Sequence, residues 1–94
     1  MSYVSIREYE VTDSEAVAKI AEEHWVPIIK AIEGFESWKL VVFSSNKLST
    51  ISTFKTKEGA KESNNKALAW GGEALDGLVV KSPIISDGNV RVDR

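Results

Sequence analysis

The feature that most constrains the fold is a strand with large apolar side chains on both faces, running from Trp38 to Phe43. Side chains alternate along a strand, so Trp38, Leu40 and Val42 point to one face. Val41 and Phe43 point to the other. A small antiparallel sheet usually leaves one face to water, so this strand needs cover on both sides. We expect the chain's own helices to cover one face and a second copy of the chain to cover the other, as a homodimer.

Length and composition fit one small globular domain spanning residues 1–94. A chain of this size buries only about 60–65% of its unfolded surface, so association would add to a thin core. The hydrophobic fraction is 43%, with three Trp, three Phe and two Tyr. That content is typical of a folded protein and excludes a disordered one.

Charge and cysteine content argue against several partners. Lys and Arg total 12 against 14 acidic residues, a net charge of -2, and no basic face suggests nucleic-acid binding. The absence of cysteine removes disulfides and thiolate sites and is compatible with a reducing cytoplasm. No signal sequence opens the chain, and no apolar run approaches the roughly 20 residues that span a bilayer. We therefore expect a soluble cytoplasmic protein with no membrane partner.

The first half of the chain predicts a strand, a helix and the central strand. Tyr3–Val11 alternates as a strand, and Thr12 with Glu15 resembles a helix-capping box. Pro27 lies inside the helix and predicts a kink, and Gly34 is placed to end it. The helix's apolar stripe is predicted to be Val17, Ile20, Ala21, His24, Ile28 and Ile32.

The second half predicts strand, helix and strand. After the central strand ends near Ser44, a short turn at residues 45–47 leads to an antiparallel strand, Leu48–Phe54. Thr56 can cap a helix over Lys57–Ala74. The inward face of this helix is small or polar, comprising Ala60, Ser63, Asn64, Ala67, Gly71 and Ala74.

The last strand is predicted over Ile84–Val92. Asp87-Gly88 in its middle is either a bulge in one strand or the turn of a hairpin, and the short arms favour the bulge. The order β-α-β-β-α-β predicts an α+β, ferredoxin-like fold, a four-stranded antiparallel sheet with two helices on one face.

With these elements placed, two segments resemble the dimeric α+β barrel superfamily, which includes antibiotic-biosynthesis monooxygenase-like domains. They are A-I-E-G-F-E-S-W-K-L at Ala31–Leu40 and S-T-F-K-T-K-E-G-A-K-E-S-N at Ser52–Asn64, the latter similar to small uncharacterised members. The resemblance covers nearly the whole chain and implies two such sheets facing each other in a dimer. It implies less about activity, because one fold supports many functions.

His24, the single histidine, is predicted to point at the sheet from the first helix. It is either a core histidine or a ligand-facing acid or base, since an unperturbed histidine titrates near neutral pH. Asn64 on the second helix would lie over the same space, with Trp38 beneath and Trp70 at the rim. The resemblance implies catalytic roles for His24, Asn64 and Trp70, with Asn65 as a competitor for the Asn.

Trp25, Trp38 and Ser63 complete the candidate site as predicted ligand contacts. The alternative for the tryptophans is packing in the core and interface, and Asn64 could serve only as a local hydrogen-bond partner. The sequence predicts no cofactor and no metal site, because Glu22 and Glu23 are adjacent and do not share a helix face. The second helix lacks the histidine with which related heme-degrading enzymes bind iron.

Three functions therefore remain open. The protein binds a small aromatic or lipophilic molecule between helices and sheet, it is a cofactor-independent monooxygenase acting on such a molecule, or it is a structural or stress-associated dimer with a filled interior. An open space lined by His24, Asn64 and Trp38 would separate the first two from the third.

Overall fold

The computed structural model describes residues 2–94 and contains one sheet with helices on one face. The strands are β1 (Tyr3–Glu10), β2 (Phe35–Ser44), β3 (Lys47–Phe54) and β4 (Ile84–Asn89), in the order β2-β3-β1-β4 with every neighbouring pair antiparallel. The helices are α1 (Ser14–Ile20), α2 (Val26–Lys30) and α3 (Lys57–Ala74), and a π-helical turn at Ala21–Trp25 joins α1 to α2. This arrangement confirms the predicted ferredoxin-like α+β fold.

The first helix buries residues at intervals of four: Val17, Ala21, Trp25 and Ile29. That spacing is longer than the 3.6 residues of an α-helical turn, so these side chains would drift around a regular helix. The π-helical turn, with its wider i→i+5 bonding, keeps all four on the sheet side. The helix stays continuous through Pro27 and ends at Lys30, one turn earlier than Gly34. The N-cap is Asp13, not Thr12 as predicted, and its carboxylate accepts from the Ala16 N–H.

Strand β4 pairs with β1 along its whole length, from Tyr3 opposite Asn89 to Glu8 opposite Ile84. Asp87 and Gly88 take part in this pairing without a shift of register. The prediction of a single strand was therefore correct, whereas the predicted bulge at Asp87-Gly88 was wrong. The strand also ends at Asn89, three residues before the predicted end.

Helix α3 approaches the sheet closely at its start. Thr56 caps it as predicted, its hydroxyl accepting from the Gly59 N–H. A Cβ atom at Gly59 would lie 3.0 Å from the Glu33 carbonyl oxygen and 3.1 Å from the Phe54 ring. The predicted small inner face is confirmed at Ala60, Ser63, Asn64 and Ala67, whereas Gly71 is half-buried and Ala74 is exposed.

The uncovered side of the sheet, here called the open face, carries apolar side chains. Alternation from the buried positions places Val4, Ile6, Val41, Ile51 and Ile84 on it. Ile6 and Val41 are each 37% exposed and Ile84 is 57% exposed. Within residues 2–94, no helix is both long and apolar enough to cross a membrane.

Candidate functional site

A cavity of about 30 Å³, here called the inner cavity, lies between the helices and the sheet. Its floor comes from β1, β2 and β3, and its roof from α1, the π-helical turn and α3. All three tryptophans of the chain line it, together with Arg7, Tyr9, Val17, Ala21, Leu40, Leu48, Thr50, Ala67 and Leu75. Trp25 and Trp70 form one wall, with their ring centroids 5.5 Å apart and the rings tilted by 37°.

Arg7 is the main polar group of the inner cavity, and it was missing from the sequence prediction. It follows Tyr3 and Ser5 at two-residue spacing on β1, so it shares the helix-covered face with them. Its side chain is 1% exposed. The alternation of β1 places Arg7 on this face, but a charged residue is rarely buried, so it was not included among the predicted site residues.

The guanidinium of Arg7 is held by neutral groups on two sides. Nη1 donates to Asn64 Oδ1 at 2.7 Å, and Nη2 donates to Ser52 Oγ at 3.3 Å. Cζ lies 5.8 Å from the centroid of the Trp25 ring, within the range of a cation–π contact. The Nε–H has no partner within residues 2–94.

Asn64 lies behind Arg7, on α3. Its Oδ1 atom also accepts from the Ser5 hydroxyl at 2.7 Å, so one amide oxygen joins two residues of β1 to the helix. The predicted inward orientation of Asn64 is confirmed. The residue fixes the position of the guanidinium.

Arg7 and Tyr9 perturb each other's ionisation. Desolvation by burial lowers the pKa of Arg7, and the neighbouring Tyr9 opposes this shift. Burial raises the pKa of Tyr9, and Arg7 opposes that shift. Tyr9 is therefore a neutral phenol near pH 7 and does not compensate the charge of Arg7.

The inner cavity contains further polar atoms without partners. Trp38 Nε1 and Thr50 Oγ1 are buried and unbonded, like Arg7 Nε. Each such group loses its hydration without recovering a hydrogen bond, at a usual cost of about 1–3 kcal/mol. Such groups are exceptional in native proteins and call for an explanation, and three of the four in residues 2–94 belong to residues that line the inner cavity, the fourth being Ser14 Oγ.

The predicted site residues separate into those that reach this space and those that do not. Trp25, Trp38 and Trp70 line it. The Ser63 hydroxyl instead donates to the Ala60 carbonyl at 2.7 Å, within its own helix.

The predicted inward orientation of His24 is wrong. Its side chain is 66% exposed, and Nε2 lies 3.7 Å from Glu23 Oε2. The π-helical turn is the reason, because it places Trp25 on the sheet side and turns His24 to solvent. His24 therefore makes no contact with the inner cavity.

A second space of about 300 Å³, here called the outer groove, adjoins the inner cavity. Tyr9, Ala67 and Leu75 line both. The groove is bounded by the C-terminal part of α3, including Gly71 and Gly72, and by the segment that leads to β4, including Lys81 and Pro83. In the part of the chain that the structure describes, no group of three or more Asp, Glu or His side chains is placed to bind a metal ion.

Comparison with known proteins supports the fold. No family model matches the sequence, and no curated protein matches it either. Among solved structures, the chain is similar to NE2512 of Nitrosomonas europaea, a protein of unknown function, with a TM-score of 0.81 and 18% identity over 99% of this chain and 92% of that one.

Two oxygenases are similar in structure. SnoaB, a cofactor-independent oxygenase from Streptomyces nogalater, gives a TM-score of 0.76 and 12% identity over 98% of this chain and 95% of its own. The second is the monooxygenase from the gene ActVA-Orf6 of Streptomyces coelicolor, solved in complex with the ligand nanaomycin D. It gives a TM-score of 0.80 and 9% identity over 99% of this chain and 90% of its own. The chain therefore has the fold of the antibiotic-biosynthesis monooxygenase-like proteins, as the sequence resemblance implied.

Proposed function

We propose that the protein is a dimeric α+β barrel domain that binds a small aromatic or lipophilic molecule between its helices and its sheet. The observation that carries this proposal is the convergence of all three tryptophans on one space that also contains unbonded polar atoms. Binding sites commonly combine an apolar, aromatic lining with a few polar groups that orient the ligand. A filled structural interior would not explain why Arg7 Nε, Trp38 Nε1 and Thr50 Oγ1 lack hydrogen-bond partners.

The dimer follows from the open face of the sheet. Its apolar side chains form a contiguous patch on the central strands, and monomers rarely expose large patches of this kind. The same patch of a second chain would cover it through a closed two-fold interface. The ferredoxin-like sheet, with helices on the opposite side only, leaves this face free for that contact.

A cofactor-independent monooxygenase is the second candidate, and Arg7 favours it. A buried guanidinium stabilises the deprotonated, electron-rich form of a phenol or quinol, and that form reacts more readily with oxygen. Asn64 and Trp70, the residues that the family resemblance assigns to catalysis, lie on the same helix, with Asn64 bonded to Arg7. The fold of SnoaB and of the ActVA-Orf6 monooxygenase is compatible with this activity.

Titration of the protein with 1,4-naphthoquinone and related bicyclic aromatics tests the binding function. We expect saturable quenching of tryptophan fluorescence, because every tryptophan borders the inner cavity. Trp70→Leu should weaken binding by about tenfold, in the range of losing one large aromatic contact. Asn65→Ala, on the exposed side of the same helix, is the matched control and should bind as the wild type does.

The enzymatic candidate has a separate measurement. Oxygen uptake with a naphthoquinol should exceed the rate without protein and fall in Asn64→Ala. If the naphthoquinol binds but the protein does not increase oxygen uptake, the ligand-binding function is supported and the oxygenase activity is excluded. Absence of binding by any bicyclic probe would favour the structural dimer instead.

A further inference from the structure

The unbonded atoms of the inner cavity share one chemical property, which is that they can donate hydrogen bonds. Arg7 Nε and Trp38 Nε1 are donors only, and the Thr50 hydroxyl can donate as well as accept. A ligand that satisfies all three must therefore present acceptor oxygens. An amine or another donor-rich group would leave them unsatisfied.

The charge of the inner cavity leads to the same ligand chemistry. Arg7 forms no ion pair with any of residues 2–94; the pairs that exist are Glu23 with His24, Glu62 with Lys66, and Glu10 with Lys81. Its hydrogen bonds go to an amide oxygen and a hydroxyl, its cation–π contact is with an aromatic ring, and the neighbouring Tyr9 is a neutral phenol. A buried charge without a counter-ion is costly, and an anion from outside would compensate it.

The sizes of the two spaces assign different parts of a ligand to each. The inner cavity, at about 30 Å³, is far smaller than the roughly 150 Å³ that holds a benzene molecule. It can take a head group but not a ring. The adjoining outer groove, at about 300 Å³, is large enough for a ring system. Tyr9, Ala67 and Leu75 border both spaces, so one molecule can occupy the two together.

We infer that the ligand is an organic carboxylate, with its carboxylate at Arg7, Trp38 and Thr50 in the inner cavity and its apolar body in the outer groove. This inference rests on the proposed binding function and adds the class of the ligand. Arginine suits the role because its planar donors match the two oxygens of a carboxylate. Asn64 and Ser52 hold the guanidinium in place and leave Nε–H free.

The test compares 2-naphthoate with 2-naphthamide, which have the same ring system and nearly the same shape but differ in charge. Each is titrated into ¹⁵N-labelled protein while the three indole N–H signals and the Nε–H signals of the three arginines are recorded. We expect naphthoate to bind at least about tenfold more tightly, as is usual for hydrogen bonds to charged groups. It should also shift the Arg7 Nε–H signal, and naphthamide should not.

Two variants locate the charge that makes the difference. Arg7→Met should bring the two ligands to within about twofold of each other, since it removes the buried cation. Lys81→Met is the matched control, because Lys81 lines the outer groove but is exposed and lies 3.3 Å from Glu10. This variant should keep the preference for naphthoate.

The outcomes separate this inference from the function on which it rests. Equal binding of both ligands would overturn the carboxylate assignment and leave the binding function intact. Failure of both to shift any indole signal would count against the binding function itself. If Lys81→Met loses the preference for naphthoate and Arg7→Met keeps it, the carboxylate binds at the surface of the outer groove and the inference is wrong. If Arg7→Met does not fold, the Arg7 Nε–H signal of the wild type still decides. An Nε–H signal that stays in place when naphthoate binds would contradict the inference.

Discussion

The two faces of the sheet depart at several positions from the usual distribution of polar and apolar residues, although the covered face also holds the apolar Leu48 and Phe54. Strand β1 shows this most directly, because Ser5 and Arg7 are buried beneath the helices whereas Ile6 between them is 37% exposed. The same holds on β3, where Thr50 and Ser52 are buried under α3 and the first helix. A strand in an ordinary monomer would place its apolar residues inward and its polar residues outward. These positions support the two proposals made above, a ligand on the covered face and a second copy of the chain on the open face.

The two proposed occupants differ in chemistry. The covered face offers a cation and hydrogen-bond donors in a narrow space, which suits a polar head group. The open face carries Val4, Ile6, Val41 and Ile51, with Glu8 and Lys39 beside them, and this apolar cluster suits a second sheet of the same kind. The contrast predicts that substitutions on the open face change the association of two chains. Substitutions on the covered face should instead change ligand binding and the stability of each chain.

The largest expected effect concerns the open face. Ile6→Asp places a charge at the centre of this face, where Ile6 lies opposite Ile51 on the neighbouring strand. We expect the wild type to sediment at about 21 kDa, twice the 10.4 kDa of one chain. The variant should sediment at 10.4 kDa at micromolar concentration, since a buried unpaired charge weakens an interface by roughly 100-fold or more.

Val92→Asp is the control for this experiment, because Val92 is also exposed but lies beyond the end of β4. It should leave the dimer intact. Circular dichroism would show that Ile6→Asp is still folded. A folded wild type that stays monomeric at high concentration would contradict the dimer and leave the apolar open face without an explanation.

The next effect concerns the covered face. Asn64→Ala removes the acceptor of two buried donors, the Ser5 hydroxyl and Arg7 Nη1. We expect the free energy of unfolding to fall by about 2–3 kcal/mol. Both the neutral Ser5 hydroxyl and the charged Arg7 guanidinium would lose their hydrogen-bond acceptor while staying buried. Urea denaturation of the dimer at one fixed protein concentration measures this, since the stability of a dimer depends on concentration.

Asn65→Ala provides the comparison, since the neighbouring Asn65 is exposed and makes none of these contacts. Its stability should stay within about 0.5 kcal/mol of the wild type. Equal losses in the two variants would mean that helix propensity, and not the link from α3 to β1, determines the stability at these positions.

Much of the fold could be predicted from the sequence because its main features are periodic. The two-residue alternation of β1 and of Trp38–Val42, the cap at Thr56 and the small inner face of α3 as far as Ala67 matched the structure, whereas β2 changes register after Val42. The register at Asp87-Gly88 could not be predicted, since the same two residues fit a turn, a bulge or a regular strand. Pairing with β1 decided among them, and that contact is distant in the sequence.

The candidate site was harder to predict, for two physical reasons. A π-helical turn cannot be read from an assumed 3.6-residue period, so His24 was placed where Trp25 lies. Arg7 satisfied the alternation of β1 but violated the expectation that a charged residue faces solvent. Both errors lie at the inner cavity, where a binding site departs from the rules that stabilise an ordinary core.

The smallest expected effect concerns Tyr9, which lies where the inner cavity meets the outer groove. Burial raises the pKa of its phenol, against the opposing influence of Arg7. The folded state therefore keeps the proton at pH values where the unfolded chain, with a tyrosine pKa of about 10, has begun to lose it. Stability linked to this group is fully present below about pH 10 and falls as the pH rises above that value.

Tyr9→Phe should therefore flatten the loss of stability above about pH 10, relative to the wild type. Urea denaturation at several pH values between 7 and 11 measures the slope of stability against pH, and all other ionisable groups are common to the two proteins. Tyr3→Phe removes the only other phenol of the chain, on the same face of β1, and should leave the contribution of Tyr9 in place. A Tyr9→Phe protein that loses stability as steeply as the wild type would mean that the phenol is already hydrated in the folded state. The wall between the inner cavity and the outer groove would then be open to water, and the covered face would differ less from the open face than the structure indicates.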